Sequence, residues 1–156
     1  EFTDFYWATP IYFPKVMPEN EIKTIDFSFL SIEEKSDKDG NIIPNASLLI
    51  TNLAPKVCDS DKIKIGEEIV VLGYPTIGGE FLSATEGIIS GYEDTYYLTT
   101  SAKIEHESSG GGVFLKSTEC LIGMPTFVRL GKIESSARLI NMFYLQENYL
   151  SKIFKY

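Results

Sequence analysis

Histidine is nearly absent. The chain of 156 residues holds one, His106, so any imidazole chemistry rests on that residue or on polypeptide outside this sequence. Positive charge is sparse as well. Fourteen Lys and Arg stand against 22 Asp and Glu, a net charge of −8. No basic stripe forms, which removes nucleic acid as an expected partner. Cysteine occurs twice, at Cys58 and Cys120. That is too few for a disulfide scaffold, and without a C-x-x-C pair zinc is not expected. One bridge and two free thiols are both open readings. No apolar run reaches the roughly 18 residues of a membrane span, so no membrane span is expected. No signal peptide opens the chain, and Glu1 in place of Met suggests a processed or trimmed product. No internal repeat or low-complexity segment stands out.

What is present is a globular β-rich composition. The chain is 44% hydrophobic, which separates it from disordered tails. Ten Phe and nine Tyr, with many Ile, Val and Thr, favour strands. Residues 6–17 are aromatic and apolar, but Pro10 and Pro14 make them an edge strand or two short pieces. "TIDFSFLSI" (24–32) alternates, with Ile25, Phe27 and Phe29 on one face and Asp26, Ser28 and Leu30 on the other. A charged turn is expected over residues 33–41, with Asp39 and Gly40 at its tip. Its D-x-D-G fragment has the opening of a calcium loop but lacks the later ligands and the closing Glu.

Residues 54–66 read as a connector. Six strands follow, at 67–75, 80–92, 95–102, 112–116, 119–127 and 138–144, the spacing of a barrel or sandwich. Gly87 is the expected bulge in the second of them. Leu145, Tyr149, Leu150, Ile153 and Phe154 recur at helical spacing, so residues 145–156 are expected to form a short amphipathic helix.

Between two of those strands lies "AKIEHESSGGGVFL". A nucleophilic serine needs a base, a group orienting the base, and backbone N–H donors for the oxyanion. A tight glycine turn can supply the donors. By itself, though, "ESSGGG" is most simply an ordinary Ser/Gly turn.

The surroundings alter that balance. "TSAKIEHESSGGGVFL" resembles the nucleophile region of trypsin-like serine proteases, in their HtrA-like bacterial branch, where the pattern runs T-D-A-x-I-x-x-G-N-S-G-G-P-L. Thr100, Ala102, Ile104, Ser109, Gly110 and Gly111 fall in register, and Leu115 nearly so. "IGEEIVVLGYP" is similar to the family's G-x-x-V-x-A-I-G-N-P segment, and "SATEGIISG" to its V-T-x-G-I-V-S strand. "ECLIGMPTF" is similar to the strand after the serine, and "IDFSFLSIE" to D-L-A-L-L-K-I, which carries the triad aspartate.

The resemblance implies an all-β, trypsin-like double barrel. Residues 1–53 would be a remnant of the first barrel carrying the triad Asp26. Residues 54–156 would be the second barrel with its C-terminal helix. The implied activity is serine endopeptidase chemistry on a polypeptide substrate. Ser109 is the nucleophile, the backbone N–H groups of Glu107 and Ser109 form the oxyanion hole, and no cofactor or metal is involved. Ala102, Lys103, Ile104, Ile122, Gly123 and Met124 would wall an apolar specificity pocket, unless Ile104 and Ile122 are simply barrel core. The family's base is a histidine that precedes the aspartate, and none precedes Asp26 here. A missing N-terminal segment of the same protein is therefore expected to supply it. His106, three residues before Ser109, would have to double back to serve and reads as an exposed loop residue. Three features depart from the family pattern: the missing histidine, Glu107 where it has glycine, and Gly112 where it has proline. They support a rival reading as a catalytically inactive, peptide-binding relative. The resemblance inclines the setting towards extracytoplasmic or secreted.

Overall fold

The computed structural model describes residues 5–12, 27–44, 46, 55–74, 81–104, 108–130 and 135–153. The chain forms two compact units, Glu1–Ala54 and Pro55–Tyr156.

In the first unit, β1 (Phe5–Tyr12) pairs antiparallel with β2 (Phe29–Ser36), from Phe5 opposite Ser36 to Tyr12 opposite Phe29. The register shifts at Pro10, where proline has no N–H for the ladder. The expected alternation holds where it is described: Phe27 is buried and packs against the Phe29 ring at 5.3 Å, while Leu30 and Ile32 are exposed. The strand runs further than its hydrophobic pattern suggested. Glu33, Glu34 and Lys35 were expected in the turn, yet Lys35 and Glu34 pair with Tyr6 and Trp7, and Glu33 is the extra residue at a register shift between Trp7 and Ala8. The turn begins only at Asp37. One oxygen of that carboxylate accepts the Asp39 and Asn41 backbone N–H groups, both at 2.9 Å, and the other accepts the Asn41 side chain at 3.0 Å. These bonds, the Asn41 side chain's foremost, hold the Asp37 carboxyl below its ordinary pKa. They also account for the D-x-D-G fragment as turn chemistry, since the first carboxylate is engaged by its own loop. Gly40 supplies the positive φ of 84°, and its carbonyl accepts the Trp7 indole N–H at 3.0 Å.

The second unit is a closed antiparallel barrel. Its strands are β3 (Glu68–Gly73), β4 (Ser83–Tyr92), β5 (Tyr97–Thr100), β6 (Gly112–Leu115), β7 (Leu121–Leu130) and β8 (Ser135–Asn141). They close in the order β3-β4-β5-β8-β7-β6. The six strands expected from sequence are present, and the fold is all-β. Period-two alternation turns Ile69, Val71, Val113, Leu115, Ile122 and Leu139 into the barrel, where each is nearly inaccessible to water. Each such side chain contributes roughly 1.5–3 kcal/mol by burial. Charge stays outside, with Lys116 bridging Glu86 and Glu68 at 3.1 and 3.7 Å across β6, β4 and β3.

Residues 55–66, read as a plain connector, carry more structure. Leu121 N–H donates to the Lys56 carbonyl at 2.8 Å and Cys58 N–H to the Leu121 carbonyl at 2.9 Å, a parallel bridge that starts β7. A 3-10 turn follows at Ser60–Lys62. Cys58 and Cys120 form a disulfide inside the core, deciding between the two readings left open.

Gly87 is not a bulge. It pairs regularly with Ile69, and the register shift in β4 lies between Ile89 and Gly91. Its reason is proximity: a Cβ at Gly87 would sit 2.3 Å from the Ala102 nitrogen. Backbone cannot swing aside, so Gly87→Ala is expected to cost about 3 kcal/mol in urea unfolding. At Gly91 the neighbour is the Thr99 hydroxyl at 3.2 Å, and Gly91→Ala should cost less than about 1 kcal/mol. Equal costs would show that the Gly87 contact is not the constraint.

The last strand ends earlier than expected. The Asn141 side chain accepts the Tyr144 N–H and caps a helical segment, α over Met142–Leu145, π over Gln146–Leu150 and α again over Ser151–Ile153. The helix therefore begins three residues before Leu145, whose buried side chain anchors it. Phe154 lies outside the described residues.

Candidate active site

Turn 108–111 joins the barrel at the start of β6 and is held from two sides. On one side is the end of β3. Gly111 lies so close that a Cβ there would be 2.3 Å from the Leu72 carbonyl, and a Cβ on Gly73 would be 3.2 Å from the Cβ of Ser108. On the other side is β7. Its register against β8 slips between Pro125 and Phe127, leaving Thr126 as the extra residue. Successive carbonyls of a regular strand point in opposite directions, but here both face the turn. The Pro125 carbonyl accepts the Gly110 N–H at 3.0 Å, and the Thr126 carbonyl lies 3.4 Å from the Ser109 hydroxyl. The turn closes on itself through Gly111 N–H to the Ser108 carbonyl at 3.1 Å. Gly110 takes a φ of 82°, which an L side chain would resist.

The consequence is opposite fates for neighbouring serines. Ser108 is buried against β3, while Ser109 is exposed. Ser109 stands at a cavity of about 520 Å³ with Leu72, Tyr74, Leu82, Phe114 and Met124 among its lining residues. No charged side chain among the described residues lines it. An exposed hydroxyl on a turn fixed by backbone, beside an apolar cavity, is a geometry in which a nucleophile can meet a substrate carbonyl.

The other expected site residues fall as follows. Asp26, His106 and Glu107 lie outside the described residues. Ala102 is buried in the core cluster, its N–H donating to the Thr100 hydroxyl at 2.9 Å. Lys103 is exposed, and its carbonyl accepts the Thr85 hydroxyl at 2.6 Å. Ile104 packs on the core from outside, and Ile122 is wholly inside it. Gly123 is buried, with the Ile140 carbonyl 2.8 Å from where its Cβ would be. Of the six expected pocket residues, Met124 shares the cavity with Ser109. Reasoning from sequence missed Gly73, Pro125 and Thr126. Gly73 falls inside the strand expected at 67–75 with no further mark, and nothing local marks the Thr126 bulge.

From β1 into β7, residues 6–124 match the family described as "Trypsin-like peptidase domain". The chain belongs to that family. Solved structures similar to this peptidase domain include the HtrA-type protease AlgW with a tripeptide. It is 27% identical, covering 65% of this chain and 36% of that one, with a TM-score of 0.52. An AlgW variant with a decapeptide is 26% identical over 64% of this chain and 32% of that one, with a TM-score of 0.52. The serine endoprotease from Yersinia pestis is 25% identical over 67% and 37%, with a TM-score of 0.54. The chain thus spans about a third of the length of these structures. No curated protein matches it.

Family membership gives Gly112 a structural meaning. Where the family pattern has proline, a Cβ would fall 2.6 Å from the Phe114 ring. The ring occupies the space a side chain would need. Gly112→Ala is expected to lower stability by about 1–2 kcal/mol in thermal or urea unfolding. Phe114→Ala should relieve most of that cost in the double variant, as contacting residues couple. Additive costs would exclude the ring as the cause.

Proposed function

We propose that this chain is the nucleophile-bearing part of a serine endopeptidase. Ser109 Oγ attacks the carbonyl carbon of a peptide bond and passes its proton to a histidine supplied by polypeptide outside this chain. Asp26 orients that imidazole, and the backbone N–H groups of Glu107 and Ser109 receive the oxyanion. The imidazolium then protonates the departing amine, and water hydrolyses the acyl-enzyme. Residues 1–53 act as the remnant of the first barrel and residues 54–156 as the second. The observation that carries the reading is Ser109 itself, exposed beside an apolar cavity on a turn clamped by β3 and β7. The peptide-bearing AlgW structures support a polypeptide substrate. The specificity pocket draws on segments 102–104 and 122–124, with Met124 at the cavity beside Ser109 and Ala102 and Ile122 in the core behind it. An apolar wall favours small or medium aliphatic side chains. The buried Cys58–Cys120 bridge supports an oxidising, extracytoplasmic or secreted setting.

A fluorophosphonate probe tests the assignment. The histidine-bearing polypeptide should be labelled at Ser109, and Ser109→Ala should not be labelled. Failure to label that polypeptide would favour the second reading, a peptide-binding relative without hydrolysis. That reading draws on Glu107, whose charge opposes a developing oxyanion unless it points into water, and on the altered turn at Gly112.

A further inference from the structure

We propose that Gly73, at the end of β3, is a positioning residue for Ser109: its missing side chain is what lets turn 108–111 seat on the strand. The inference rests on the reading of Ser109 as nucleophile and adds a residue 36 positions away in sequence. A Cβ at Gly73 would meet Ser108 at three atoms, Cβ at 3.2 Å, Cα at 3.3 Å and Oγ at 3.4 Å. Two of these belong to the backbone or its first carbon, so the turn cannot adapt by a rotamer change. Gly111 is packed as closely on the same strand, against the Leu72 carbonyl and the Gly73 Cα. Retreat from β3 runs towards β7, where the Gly110 N–H is already bonded to the Pro125 carbonyl at 3.0 Å. Ser108 is the residue directly before the nucleophile, so a methyl at 73 moves Ser109 relative to β7. Gly73 itself is buried and pairs with Ser83 in β4, and a methyl leaves that ladder pairing in place. Contacts of 3.2 to 3.4 Å require the turn to yield by a few tenths of an ångström, and since a displacement of about 1 Å at a reacting atom costs on the order of 10² in rate, a loss of roughly three- to tenfold follows.

The test uses Gly73→Ala, with Gly91→Ala as a control methyl at the opposite end of the neighbouring strand β4. In the full chain, Gly73→Ala should shift Tm by no more than about 8 °C. Amide hydrogen exchange at Gly110 should accelerate at least about tenfold while Leu98 in β5 keeps its protection. In the histidine-bearing polypeptide, fluorophosphonate labelling and kcat should fall roughly three- to tenfold with KM unchanged. Gly73→Ala combined with Ser108→Gly removes two of the three contacts and should restore both readouts towards wild type. Wild-type exchange at Gly110 together with wild-type labelling in Gly73→Ala would overturn the inference, as would a double variant that restores neither. If Gly73→Ala does not fold, the double variant alone decides, by whether it folds and keeps the Gly110 amide protected. If the wild-type polypeptide is not labelled, the nucleophile reading falls, and Gly110 exchange still decides whether Gly73 seats the turn.

Discussion

Ser109→Ala is expected to lower kcat for peptide hydrolysis by the histidine-bearing polypeptide by about 10⁵ to 10⁶. The size follows from how a triad works. Nucleophile, base and orienting carboxylate act as one unit, so losing either of the first two costs nearly as much as losing all three. The same non-additivity makes a sharper claim about the 156-residue chain. On the proposed reading, which puts the base outside it, that chain is expected to show no measurable hydrolysis, and Ser109→Ala within it should change nothing further. Turnover of casein or a peptide ester by the wild-type 156 residues, abolished by Ser109→Ala, would place the base inside this sequence. His106 would then be the group to replace, as the only imidazole present. The Thr126 carbonyl beside the Ser109 hydroxyl cannot fill that role, because an amide oxygen accepts a hydrogen bond without removing the proton at neutral pH.

Replacing Cys58 and Cys120 together by alanine is expected to reduce the unfolding free energy by about 4 kcal/mol. The bridge spans 62 residues of sequence. Closing a loop of that length removes unfolded-chain entropy equivalent to between about 3 and 5 kcal/mol at 25 °C. Both sulfurs are buried, so their loss also opens space in the barrel core. Urea unfolding with and without reductant measures the effect, and the alanine pair should behave as the reduced wild type. A loss below about 1 kcal/mol would mean that the reduced, unfolded chain already keeps these residues near each other. The bridge also bears on the site. It ties residue 58 to the residue preceding Leu121, and Pro55 and Leu121 both line the cavity at Ser109. Part of the alanine pair's effect should therefore appear as faster exchange of the Leu121 N–H, which donates to Lys56.

Much of the barrel could be read from local pattern. Alternation in β3 is a property of consecutive residues: Ile69 and Val71 go inward while Val70 and Leu72 face out. The family landmarks are short strings too, and the turn carrying Ser109 announces itself through three consecutive glycines. Element ends were less legible. Glu33, Glu34 and Lys35 look like a turn until a partner strand holds them extended, and Met142, Phe143 and Tyr144 look like strand until the Asn141 side chain caps a helix there.

By itself the sequence determined the β-class, the six strands and the family, because each depends on neighbours along the chain. Tertiary structure alone decided the Cys58–Cys120 pairing, the true reason for Gly87, and the clamp formed by Gly73, Pro125 and Thr126. Those contacts join residues tens of positions apart, and their geometry exists only once the barrel has closed and set the register between strands.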